Sequence, residues 1–238
     1  VNEQFCDWMG EETDHVMGGV TVSRGGNPAP FTSLGAFNAM KACLAHAGRP
    51  VDFAGITVGI QGLGQTGYRL AKLVTDHGGA VIGTDVSPHA ITRAAKELDI
   101  KVLGDDESLF ELDVDIIAPC ALGGVLGPDH IEKLNAPIIC GTSNNVLVDP
   151  DRDGQLLKEK GTIYAPDFIA NAGGLIRLAG LYLGLTEDEI DKKIERIEMT
   201  TLEVLSDTRS YASAYDAAVA FARKRIEAGA HNRIGSSS

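Results

Sequence analysis

"ITVGIQGLGQTGYRLAKLV", Ile56 to Val74, decides the fold. Its first six residues are a mostly apolar, partly β-branched run, and "TGYRLAKLV" has the period of an amphipathic helix. Between them lies Gly62-x-Gly64-x-x-Gly67. On its own that spacing is weak, because glycines cluster for many reasons. Here it follows a strand and opens a helix, the context in which it carries a mechanism. Gly62 permits the tight turn, Gly64 lets a pyrophosphate approach the backbone, and Gly67 lets helix and strand pack closely. The free N–H groups and positive dipole end of the helix then face the phosphates. Gln65 and Thr66 complete the loop. The next strand, "AVIGTD", ends in Asp85, followed by Val86. An acid there accepts hydrogen bonds from the adenosine ribose and repels a 2′-phosphate, and no Arg follows immediately, so NAD is expected over NADP.

Outward from this stretch, apolar runs alternate with helical segments from about residue 55 to residue 170. The runs are "ITVGIQ", "AVIGTD", "KVLG", "VDIIAPC", "APIICG" and "TIYAPD". They are continuous rather than alternating, as befits strands buried on both faces. About six strands in a parallel, doubly wound α/β sheet of Rossmann type are expected. "APFTSLGAFNAMKACLAHAG" reads as a helix over 32–47, with Thr32 or Ser33 as N-cap and Gly48 as stop. After the sheet, Ile190, Ile194, Ile197 and Thr201 form an amphipathic stripe that reads as core packing. The expected division is 1–30 as a linker, 31–184 as the nucleotide-binding domain, and 185–238 as C-terminal helices ending in a disordered polar tail, "IGSSS".

The 238 residues carry 33 Asp and Glu against 21 Lys and Arg, a net charge of −12, which argues against nucleic acid or an anionic membrane as partner. Backbone amides can still hold an anionic cofactor. Cys6, Cys43, Cys120 and Cys140 form neither a CxxC pair nor a zinc-binding pattern, so no metal is expected. They read as free thiols in a reducing, cytoplasmic setting. No run of eighteen apolar residues and no secretory signal is evident.

Four further stretches, "GGNPAPFTSLG", "IIAPCALGG", "GTSNN" and "YAPDFIANAGGLI", resemble, in this order around the glycine loop, the nucleotide-binding half of the amino-acid dehydrogenases acting on Glu, Leu, Phe or Val. The resemblance is strongest to the leucine, valine and phenylalanine members and runs from about Glu11 to the C-terminal helices. It implies NAD-dependent oxidative deamination of an apolar L-amino acid to a 2-oxo acid. It places Thr32 and Asn171 at the nicotinamide carboxamide and the substrate end. Cys120 and Ala121 fall along the cofactor ribose, with Asn144 or Asn145 near it. Leu175 and Leu178 match the side-chain pocket, where a glutamate would lose hydration without compensation.

The same resemblance implies a catalytic lysine in a "GGGK" loop, a second lysine for the substrate carboxylate, and an assisting Asp, all in an N-terminal substrate domain. None of the Gly-Gly pairs in this chain is followed by Lys. Lys41, Lys72 and Lys96 read as solvated helix-face residues. Asp7 and Asp14 are the nearest acids by position, and Asp7 does not match the catalytic motif. The catalytic residues therefore stay unassigned, and the chain is expected to start where the substrate domain ends. Expected partners are a small amino acid or 2-oxo acid, and either a homo-oligomer or a separate lysine-bearing domain. The alternatives are a repurposed NAD-binding protein, non-catalytic, regulatory or reducing an imine or oxo acid, and a purely structural oligomerisation module.

Overall fold

The computed structural model describes residues 3–104 and 108–235, with side chains described as far as residue 228. The end of the polar tail, 236–238, lies outside the described residues. A short helix α1 (Glu3–Gly10) buries no side chain, and α2 (Ala29–His46) is largely buried. The alternating core follows: β1 (Thr57–Gln61), α3 (Gly67–Asp76), β2 (Ala80–Thr84), α4 (Pro88–Leu98), β3 (Lys101–Val102), β4 (Ile116–Pro119), α5 (Pro128–Lys133), β5 (Ile138–Ile139), α6 (Pro150–Lys160) and β6 (Ile163–Tyr164). Then come α7 (Asp167–Ala170), α8 (Gly173–Tyr182), α9 (Glu187–Asp207) and α10 (Ala214–Gly235).

The six strands are all parallel, in the order β3-β2-β1-β4-β5-β6. The chain winds outward from β1 in one direction, then from β4 in the other. The strand order therefore reverses between β1 and β4, and at that switch point the carboxyl ends of the strands leave a crevice. The continuous apolar runs are explained by burial on both faces: Val58, Ile60, Ile116 and Ile138 have no exposure at all.

α2 starts earlier than its hydroxyls suggest. Pro28 is the N-cap, without a side-chain cap bond, and Pro30 occupies the first turn, where its missing N–H costs nothing. Asn27 Oδ1 accepts from the Ala29 N–H at 2.9 Å. The Thr32 and Ser33 hydroxyls donate back to the carbonyls of Pro28 and Ala29, at 3.2 and 2.9 Å, so neither is the N-cap. The stripe of α9 packs as expected: Ile190, Ile194, Ile197 and Thr201 are buried. The three isoleucines join one hydrophobic cluster with Phe37, Met40 and Leu44 of α2 and with β1 and β4.

Candidate functional site

The site begins with the loop after β1. Gly62 takes φ +93°, a conformation costly for any residue with a Cβ, and a Cβ there would sit 2.8 Å from that of Ala121. A Cβ on Gly67 would overlap the Gly62 carbonyl and press on Cys120. Around Gly64, by contrast, nothing lies within 4 Å of the position a Cβ would take. Two glycines are thus required by the protein's own packing, while the middle one faces open space at the start of α3. That arrangement fits a pyrophosphate approaching bare backbone.

Asp85 closes the far side of the loop. One carboxylate oxygen accepts from the Leu63 N–H at 2.6 Å and the other from the Ser87 N–H at 2.8 Å. Each oxygen keeps a lone pair for a further donor. Val86 beside it is fully exposed. Gln65 is held from two directions: Arg69 donates to its backbone and side-chain oxygens at 2.6 and 2.8 Å, and Asn27 reaches its side chain at 3.3 Å.

On the other half of the crevice, the Cys120 N–H donates to Gln61 O at 2.7 Å, carrying "PCALGG" over the glycine loop. Cys120 is buried beside the loop, and burial pushes its thiol pKa up to about 11, which favours the protonated thiol. The Gly124 N–H donates to Asn145 O at 2.7 Å, which fastens this segment to "GTSNN". Asn145 itself has φ +51°. Asp167, buried on α7, accepts from the Val146 N–H at 2.9 Å and the Phe168 N–H at 2.7 Å, fixing the exit of that loop.

Asn171 sits where α7 meets α8. Its amide donates to Asn144 Oδ1 at 2.7 Å and to Ser143 O at 3.2 Å, so its side chain faces the crevice loops and caps neither helix. Thr32 reaches this corner by close packing. A Cβ on Gly174 would overlap its hydroxyl, and a Cβ on Gly173 would overlap the Phe31 carbonyl. Leu175 and Leu178 lie three residues apart on α8. Leu175 is 72% exposed, whereas the Leu178 methyl packs against Gly25.

The structure thus draws Gly62, Gly64, Gln65, Thr66, Gly67, Asp85, Cys120, Ala121, Asn144, Asn145 and Asn171 to one sheet edge. Sequence reasoning missed Thr142, whose hydroxyl donates to Thr66 Oγ1 at 2.8 Å. It also gave Ser33 only a capping role, though Ser33 bonds the Thr66 carbonyl at 2.8 Å. Both sit inside motifs already singled out, and a hydroxyl that lacks a helix end to cap is the signal that could have found them. An apolar cavity of about 410 Å³ lies elsewhere, among α7–α10, walled by Phe168, Ile176, Ile197 and Phe221, and includes none of these site residues.

Asp7 has a different occupation. Its carboxylate accepts from the N–H groups of Val20, Thr21, Val22 and Ser23 and from the Thr21 hydroxyl, at 2.8 to 3.2 Å. Desolvation is the largest single influence and raises its pKa. The four amides together outweigh it and hold the carboxyl well below the usual Asp range. An acid so saturated with donors organises the 20–23 turn and is a poor base. Lys41 and Lys72 pair with Glu198 and Asp76, each at 2.8 Å, and Lys96 is exposed. Among the described residues no helix is long and apolar enough to cross a membrane.

Against known proteins, residues 85–233 match the family model of the glutamate/leucine/phenylalanine/valine dehydrogenases. The leucine dehydrogenase of Thermoactinomyces intermedius is 35% identical over 93% of this chain, and the L-tryptophan dehydrogenase of Nostoc punctiforme is 36% identical over 92%. The chain spans about 60% of the length of these relatives. The crystal structure of the Nostoc punctiforme L-tryptophan dehydrogenase superposes with a TM-score of 0.85, at 32% identity, over 97% of this chain and 66% of that one.

Proposed function

From the premise that the chain belongs to the glutamate/leucine/phenylalanine/valine dehydrogenase family, we propose that it is the NAD-binding part of an enzyme that oxidatively deaminates an apolar L-amino acid to a 2-oxo acid. One observation carries the cofactor assignment. The open glycine position, Gly64, lies between a helix start and an acid, Asp85, whose oxygens keep lone pairs for ribose hydroxyls. When bound, NAD supplies the acceptor for the hydride from the substrate Cα.

The chain's own residues would do the rest of the holding. The loop amides and the α3 dipole face the pyrophosphate. Asp85 takes the adenosine ribose and excludes a 2′-phosphate, while Val86 offers an apolar face beside it. Ala121, Asn144 and Asn145 flank the second ribose. Thr32 and Asn171, which both donate and accept, orient the carboxamide and so choose the ring face that reacts. Leu175 and Leu178 line the side-chain end, which favours an aliphatic or aromatic substrate over glutamate. The general base is assigned to a lysine-bearing domain, in the same polypeptide or supplied by another, because Asp7 is occupied by backbone amides and no Gly-Gly pair of this sequence is followed by Lys.

Calorimetry with NADH and NADPH tests the cofactor, and NADH formation with a panel of apolar amino acids tests the reaction in the presence of a lysine-bearing domain. NADH binding with weak NADPH binding is expected. Absence of NADH binding at millimolar concentration defeats the reading, and binding without turnover on any amino acid leaves the non-catalytic alternative.

A further inference from the structure

Leu63 stands between two glycines, Gly62 and Gly64, so its neighbours impose little on its backbone. It is nevertheless held at three points. Its side chain is fully buried, its N–H donates to Asp85 Oδ2 at 2.6 Å, and its carbonyl accepts from Arg93 Nη2 at 3.2 Å. Arg93 comes from the second turn of α4, eight residues past Asp85. Its guanidinium lies 4.1 Å from the centre of the Tyr68 ring on α3, and the Tyr68 hydroxyl donates to Glu97 of α4 at 2.6 Å. The same guanidinium pays for its place: its Nε is buried with no hydrogen-bond partner, and among the described residues Arg93 makes no ion pair. A surface arginine on a solvated helix would avoid both conditions.

We propose that Arg93 is a positioning residue for the cofactor's adenosine end, acting through Leu63. This rests on the reading of Asp85 as the ribose acceptor. A guanidinium on the Leu63 carbonyl and a carboxylate on its N–H fix one residue of a loop that its glycines leave free. With Leu63 fixed, the Asp85 carboxylate keeps the orientation in which its remaining lone pairs face the ribose hydroxyls. Stacking on Tyr68 holds the guanidinium plane. Arg93 therefore sharpens discrimination against a 2′-phosphate without touching the cofactor, and its cationic charge does not serve as a phosphate receptor.

The test compares wild type with Arg93→Met, Arg93→Lys and Tyr68→Leu, reading the Kd for NADH and for NADPH by calorimetry and Tm alongside. Arg93→Met is expected to weaken NADH about tenfold while NADPH changes little, roughly the effect on an equilibrium of losing one hydrogen bond to a charged group. The NADH-over-NADPH preference then shrinks by about the same factor. Arg93→Lys restores part of it through one hydrogen bond, and Tyr68→Leu loses part of it. A lower Tm with an unchanged preference would mean that Arg93 only braces α3 against α4, which overturns the proposal. A stronger hold on NADPH in wild type than in Arg93→Met would make it a phosphate receptor and also overturns it. Should Arg93→Met not fold, the Lys and Leu variants decide by the same ratio. Failure of wild type to bind NADH would bring down the cofactor reading itself, an outcome distinct from an unchanged ratio.

Discussion

At the residue scale, glycines of one motif answer to different demands. Gly67 has no room for a methyl group against the Gly62 carbonyl, whereas Gly64 has open space. Gly67→Ala is therefore expected to cost about 1–3 kcal/mol through overpacking, seen as a lower denaturant midpoint. Gly64→Ala should leave that midpoint nearly unchanged and weaken NADH by about tenfold or more, because the added carbon fills the approach to the backbone. Equal loss of stability in both variants would contradict the division. Asp7 carries a pH signature. Its folded pKa lies below the unfolded value of about 3.9. The stability it contributes is thus present above that value and is lost as pH falls through the folded pKa. Asp7→Asn should lower Tm at neutral pH, and the gap to wild type should close progressively below about pH 4. A gap that stays constant down the acid range would mean that the carboxylate charge is irrelevant to the turn.

Elements were legible wherever one physical cause dominated. The six strands stood out because their apolar runs are nearly unbroken, as the full burial of β4 and β5 and of the middle of β1 requires, and the α9 stripe stood out because one face alone is covered. The start of α2 was misplaced because two hydroxyls looked like caps, while the proline in its first turn set the true beginning. The glycine loop and Asp85 were visible because what sets them is local: a strand end, a helix start and the Asp85 bond to the Leu63 N–H at 2.6 Å. Arg93 was not, since nothing near it in sequence distinguishes an arginine that reaches back to Leu63 from one that faces water. Thr142 and Thr66 likewise meet only through the fold. α9 begins with a capping box: the Thr186 hydroxyl accepts from the Glu189 N–H at 3.3 Å, and the Glu189 carboxylate accepts from the Thr186 N–H at 2.8 Å. Thr186→Ala is expected to cost about 1 kcal/mol, a fall in Tm of roughly 2–4 °C for a chain of this size. Calorimetric melting checks it, and an unchanged Tm would show that α9 is held by its buried stripe alone.

At the scale of the whole molecule, two halves of the sheet meet at β1 and β4, and the crevice between them is lined by loops from both. The helices beyond residue 185 join the same hydrophobic cluster as the sheet, through Ile190, Ile194 and Ile197. The crevice floor is thus seated on packing contributed by helices that precede and follow the sheet in sequence, α2 and α9. Around the glycine loop the candidate residues are glycines and neutral side chains together with Asp85, and Arg69 is tied to Gln65, in a chain of net charge −12. That combination has a kinetic consequence. On the proposed cofactor reading, a dinucleotide with an anionic pyrophosphate would approach against the repulsion of that net charge and be captured only at close range. Added salt, which shortens the Debye length from about 30 Å at 0.01 M to about 10 Å at 0.1 M, should therefore speed NADH association in stopped-flow measurements and leave dissociation nearly constant. Most cofactor sites that rely on lysine or arginine lose affinity as ionic strength rises. Here the affinity is expected to hold or improve, and a steep loss would mean that a cation, Arg69 beside Gln65 first, leaves its present partners for the cofactor phosphates.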